Sequence, residues 1–217
     1  MYRLVGERNE DTAWLKKAVA VCRLALKVRT RGRVPLQWAI TKANLGNALR
    51  ALGERTNVTA LTEAAVSAHR AALAVRTRED VPLQWAINQA SLGNALRALG
   101  EREQGEARLR EAEAAYRASL EKHDRGEDPL EWARANAGLG RVLVTLAERR
   151  AGGVQLGEAG ALYEAALAVF DEAHACHDAA RVPATASAAS ERCSATISVD
   201  PATGRVASIN PPPPRLL

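Results

Sequence analysis

Three observations predict an all-α protein, a solenoid of antiparallel helix pairs. Residues 34–55, VPLQWAITKANLGNALRALGER, recur almost letter for letter at 81–102 as VPLQWAINQASLGNALRALGER, with a looser copy, DPLEWARANAGLGRVLVTLAER, at 128–149. Pro35, Pro82 and Pro129 lie 47 residues apart, as do Trp38, Trp85 and Trp132. A fixed period of this length marks stacked units that bury their apolar faces only against neighbours. Between the prolines, apolar residues return at three- and four-residue spacing, which is one face of a helix.

The elements follow in order. Stepping back one period from Leu52-Gly53-Glu54-Arg55 lands on Val5-Gly6-Glu7-Arg8, so the chain opens in the loop of a repeat whose first helix is missing. A helix is expected over 11–30, capped by Asp11 or Thr12 and carrying Leu15, Ala18, Val19, Cys22, Ala25 and Leu26 on one face. Gly32 and Pro35 separate it from the next, because proline suits a first helical turn whose N–H is unpaired anyway. That helix, 35–52, carries Trp38, Ile40, Leu45, Ala48, Leu49 and Leu52 and is expected to stop at Gly53. Further helices are expected at 61–78, 82–99, 105–123, 129–149 and 156–173, about seven in all. The repeat units are 1–33, 34–80, 81–127 and 128–174, within a helical domain of 1–177.

The second helix of each pair has its own signature. Ala18, Cys22 and Ala25-Leu26 match Ala65, His69 and Ala72-Leu73, then Ala112, Tyr116 and Ser119-Leu120, then Ala159, Tyr163 and Ala166-Leu167. The small residues admit a neighbouring helix, and the ring or sulfur fills the gap between repeats. Gly46, Gly93 and Gly140 recur inside the first helices, where glycine costs about 1 kcal/mol relative to alanine. Their fixed register predicts a backbone approach too close for a Cβ. Trp38, Trp85 and Trp132 read as packing between repeats. Residues 178–217 are rich in Ala, Ser, Thr and Pro, contain no aromatic residue, and are expected to be a disordered tail.

Composition narrows the function classes. Hydrophobic residues make up 47% of the chain, aromatics only 4%, and the formal charge is +5. Arginine supplies 25 of the 30 basic residues, a bias read as bacterial. Acids and bases interleave along the repeats, which argues against a nucleic-acid partner held by Arg29, Arg31, Arg33, Arg76 and Arg78. The three cysteines, Cys22, Cys176 and Cys193, give no disulfide framework. With no apolar leader and no run near the roughly 18 residues of a membrane span, a cytoplasmic location and no membrane partner are expected.

Asn-Leu-Gly-Asn-Ala-Leu at 44–49, followed by the Ala…His/Tyr…Ala-Leu helix, resembles the tetratricopeptide repeat. The resemblance covers residues 4–173. The period is 47 rather than 34, with PLQWA adding a turn ahead of the usual start, as in long-period bacterial arrays. The resemblance implies a right-handed superhelix whose first helices line a concave groove. Carried over position by position, it places Asn44, Asn47 and Arg50 in the groove from the first full repeat. The second contributes Ser91, Asn94 and Arg97, the third Arg134 and Arg141. Asparagine both donates and accepts, which suits a peptide backbone, and arginine takes carboxylates bidentately. The carboxylate clamp of the family is incomplete, because Ala43 stands where its lysine is expected. The implied function is a non-enzymatic scaffold for a protein or peptide partner, with self-association through uncapped ends also open. The alternative is a sensor segment of a larger bacterial signalling or effector protein.

No cofactor or metal is expected. Asp171, His174, Cys176, His177 and Asp178 make one metal-like cluster, but it occurs once, where the repeat decays. His69 reads as structural, and His123 as a helix-end cation. The glycine-rich stretch 151–160 lacks the Lys-Ser/Thr of a phosphate loop, and no nucleophile motif occurs, so catalysis is not expected.

Overall fold

The computed structural model describes residues 2–150, 154–172, 198–199 and 206–208, with side chains over 12–150 and 156–169. Seven helices occur among them: α1 (Tyr2–Val28), α2 (Pro35–Thr56), α3 (Thr59–Leu73), α4 (Pro82–Gly100), α5 (Ala107–Leu120), α6 (Pro129–Arg150) and α7 (Val154–Glu172). A short antiparallel pairing of β1 (Ser198–Val199) with β2 (Val206–Ser208) falls in the region expected to be disordered. The rest of that tail lies outside the described residues. The chain divides into two compact units, Met1–Glu131 and Trp132–Leu217.

Several boundaries differ from expectation. α1 runs through Val5–Arg8 and starts at Tyr2, so neither Asp11 nor Thr12 is its cap. A lone glycine, Gly6, does not outweigh the helical propensity around it. α2 continues past Gly53 to Thr56 and ends on Asn57, the one non-glycine residue with positive φ (58°) among the described residues. Asparagine tolerates this left-handed cap because its short polar side chain bonds locally. α3 ends at Leu73 and α5 at Leu120, each giving way to turns before the next proline.

In the first unit, adjacent helices pack in sequence, α1 on α2, α2 on α3, α3 on α4 and α4 on α5, and α2 also meets α4. The core is alanine- and leucine-rich: Ala39, Leu49, Ala65, Ala72, Ala86, Leu96, Leu99, Leu109, Ala112 and Tyr116 are all buried. Small side chains let the axes approach closely, so rings and glycines set the spacing.

The glycines mark close contacts, but of a different kind from that expected. A Cβ on Gly46 would stand 2.6–2.9 Å from the His69 ring, and one on Gly93 would stand 3.1 Å from the Tyr116 ring. The neighbour is thus an aromatic side chain of the paired helix, not its backbone; the ring fills its own pair, and that of His69 also reaches α4 of the next repeat through Asn88. In the second unit Gly140 meets both, the Ala159 carbonyl oxygen and the Tyr163 ring at 3.3 Å. Gly53, read as a stop, is a second contact seven residues on. Its Cβ would meet Thr62 Oγ1 at 2.5 Å, and Gly100 repeats the role with Leu109 Cγ at 2.8 Å.

Trp38 also packs within its own pair, against Ala39, Ala43 and Ala72. Arg31, in the turn before α2, stacks over Trp38 at 5.9 Å and points an N–H to the Ala74 carbonyl at 3.5 Å. One period later Arg78 stacks over Trp85 at 5.6 Å and pairs with Glu121, 47 residues beyond Ala74. A loop arginine thus clips Trp38 and Trp85 to the end of the following second helix. Each stack contributes about 0.5–1 kcal/mol at such exposed sites.

Gly46→Ala is expected to lower the melting temperature by several degrees, the overpacking loss of about 1–3 kcal/mol exceeding the gain in helix propensity. Gly157→Ala, where no atom lies within 4 Å, is the matched control and should be neutral or stabilising. Thermal melts followed by circular dichroism compare the two.

Candidate functional site

The residues implicated for the groove lie on α2, α4 and α6. On α2, Asn44 and Asn47 are exposed, and Arg50 is half-buried. Leu36 and Ile40 precede them on the same stripe, at 44% and 40% exposure. Positions 36, 40, 44 and 47 fall on one helix face. α4 repeats the stripe 47 residues on with Leu83, Ile87, Ser91 and Asn94, where Leu83 and Ile87 are each 41% exposed. Ile40, expected in the packed face, is therefore a surface residue. It lies off the Ala39–Ala43 side that meets α3.

The two arginines of this face are engaged along their own helices. Arg50 pairs with Glu54 and Arg97 with Glu101, both at 2.7 Å and four residues apart. Burial works against the Arg97 charge, but the Tyr116 oxygen and the Glu101 carboxylate outweigh it and push its pKa above the ordinary value. An incoming carboxylate would compete with these glutamates. In the second unit, Arg134 is exposed and Arg141 half-buried on α6.

The two asparagines of equivalent register do different jobs. Asn94 Oδ1 accepts the Tyr116 hydroxyl at 2.9 Å, so part of its capacity is spent inside the pair. Tyr116 is fully buried, and that burial raises its pKa against the nearby Arg97 charge. At the same place in the preceding repeat, histidine replaces tyrosine, and its ring bonds elsewhere. His69 Nδ1 lies 2.8 Å from Asn88 Oδ1, and Asn88 Nδ2 donates back to the His69 carbonyl at 3.2 Å. This return bond orients the amide, so Nδ1–H is the donor and the ring is the neutral tautomer. Burial, with the nearby Arg50 charge adding to it, lowers the His69 pKa to about 4 despite the bond to Asn88. Nε2 faces Gly46 and has no hydrogen-bond partner. Asn47 is left exposed.

Sequence reasoning missed the Asn88 lock. Its signal was an asparagine amide at a register where Thr41 and Ala135 occupy the equivalent positions. His123 is buried at the end of α5, with Nδ1 3.4 Å from Asp128. No group of three metal-ligating side chains occurs among the described residues. His174, Cys176, His177 and Asp178 lie outside them, as does the side chain of Asp171. No described helix is long and apolar enough to cross a membrane.

His69 should make the fold acid-sensitive. Its folded pKa of about 4 lies below the ordinary 6.5, so the unfolded chain binds more protons between these values. Its effect is absent above pH 6.5, and stability falls from there to about pH 4, by about 3 kcal/mol at most. Urea titrations at pH 7.5 and pH 4.5 measure the loss. The double change His69→Tyr with Asn88→Ala, which copies the Tyr116–Ala135 register, should remove most of it. No protein-family model, curated protein or solved structure matches this chain.

Proposed function

We propose that this chain is a non-enzymatic interaction scaffold of the tetratricopeptide kind, holding a peptide or protein partner along the exposed stripes of its first helices. One observation carries the reading. α2 and α4, which pack on each other, carry the same pattern of side chains in the same register, two exposed aliphatic residues followed by polar ones that are exposed on α2 and half-buried on α4. The aliphatics at 36, 40, 83 and 87 keep 40–44% of their surface in water, which a partner's apolar side chains would cover. With about 40% of each side chain left to bury, each such burial is worth about 1 kcal/mol. Asn44 and Asn47 then supply a donor and an acceptor beside the aliphatics, suited to a peptide main chain.

α6 carries Leu130, Arg134, Gly138 and Arg141 at the corresponding positions. There the second aliphatic and the asparagine are both replaced by arginine.

A random peptide library displayed against the chain tests this. Specific binders are expected, and Asn44→Ala with Asn47→Ala should weaken them at least tenfold without changing the melting temperature, since both residues are exposed. Ile40→Ser with Ile87→Ser should weaken the same peptides. A library that yields no specific binder, or peptides indifferent to all four changes, would refute the assignment.

A further inference from the structure

A second surface lies on α1, away from the stripes of α2 and α4. Trp14, Val21, Leu24 and Val28 are 69%, 65%, 63% and 70% exposed. Their spacing of seven, three and four residues puts them on one side of the helix. Ala18 and Ala25 adjoin this stripe, so its floor is shallow enough for a close helix approach. The repeat register says what kind of object fits there. Ala72 and Val75 of the α3 region stand 47 residues beyond Ala25 and Val28, and they pack on Ala39 and Ala43 of α2. Ala65 and Ala68 are buried in α3, whereas their counterparts Ala18 and Val21 are open. The stripe on α1 is therefore the face that α3 uses to receive a helix, and no helix covers it among the described residues.

Charge narrows the occupant further. From Thr12 to Val28, α1 carries Lys16, Lys17, Arg23 and Lys27 and no carboxylate. Lys16, Arg23 and Lys27 form a row beside the stripe and make no salt bridge among the described residues, while Lys17 lies over the Trp14 ring at 4.6 Å. The equivalent rows are mixed in sign elsewhere, with Glu63 and Arg70 on α3, and Arg110, Arg117 and Glu121 at α5. We infer that the α1 face docks a partner protein through an amphipathic helix with an acidic edge, its apolar side covering Trp14, Val21, Leu24 and Val28. A second copy of this face would set like charges together, which disfavours self-pairing.

The probe is a helical peptide with leucines at heptad spacing and glutamates along both edges, compared with the same peptide carrying lysines there. By fluorescence anisotropy the native chain should bind the glutamate peptide at least tenfold more tightly, and less tightly as salt rises. The triple change Lys16→Glu/Arg23→Glu/Lys27→Glu should invert that preference, and Trp14→Ala/Leu24→Ala should weaken binding at least tenfold. All five positions are exposed, and an unchanged melting temperature would confirm that each variant is folded. Equal binding of both peptides, or of neither, overturns the inference. So does a dimer in sedimentation that Trp14→Ala/Leu24→Ala dissociates. Adsorption to phosphatidylserine vesicles that the glutamate peptide fails to displace would likewise overturn it, in favour of a lipid surface. None of these changes touches Asn44 or Asn47, so failure here leaves the reading of the α2–α4 face standing or falling on its own test.

Discussion

A ring seated on a glycine holds each helix pair together. His69 over Gly46, Tyr116 over Gly93 and Tyr163 over Gly140 leave no room for a Cβ at ordinary contact distance. Seven residues on, Gly53 and Gly100 admit Thr62 and Leu109 in the same way. Two such contacts, two helical turns apart, fix both the separation and the rotation of the paired helices. An alanine-rich chain needs this device, because alanine buries little area per residue and its packing is not selective about register. The surface follows from it: once Ala39 and Ala43 are turned toward α3, Leu36, Ile40, Asn44 and Asn47 are turned outward.

The ring position also shows how the chain varies a repeat without breaking it. A tyrosine there delivers its hydroxyl to Asn94 at the surface. A histidine is shorter, cannot reach the same place, and instead bonds Asn88 of the next repeat. The two solutions leave different surfaces. Asn94 is partly committed inward, whereas Asn47 keeps its amide for solvent. The histidine solution carries a liability as well, since protonation of a buried ring beside Arg50 is unfavourable. A buried polar group that is fully bonded specifies its neighbours, and one left half-bonded destabilises them. Nε2 of His69, without a partner, is of the second kind.

Much of this was legible in the sequence, and the misses have identifiable causes. Helix number and order follow from the period and the PLQWA prolines, because proline fixes where a helix begins. Gly53 misled, because a glycine after a leucine-rich run reads equally as a cap and as a packing residue, and only the approach of Thr62 distinguishes them. Ile40 misled because an aliphatic residue inside a helix is assigned to the core unless the packed face is known. Asn44 and Asn47 were legible as surface residues, being polar and off the alanine face. The ion pairs of Arg50 and Arg97 were visible as arginine and glutamate four apart, a spacing that places them on one side of the helix.

By itself, the sequence determined that this protein is helical, that its helices come in pairs, and which small residues sit at the contacts. Those properties are local, or repeat at a constant interval, and backbone geometry converts such patterns directly into faces. Tertiary structure alone decided which side of each glycine the ring occupies, that His69 turns to Asn88 while Tyr116 turns to Asn94, and that Trp14, Val21, Leu24 and Val28 remain open. Each depends on how near two helices distant in sequence come to one another, a length set by the whole packed interface rather than by any one stretch of residues.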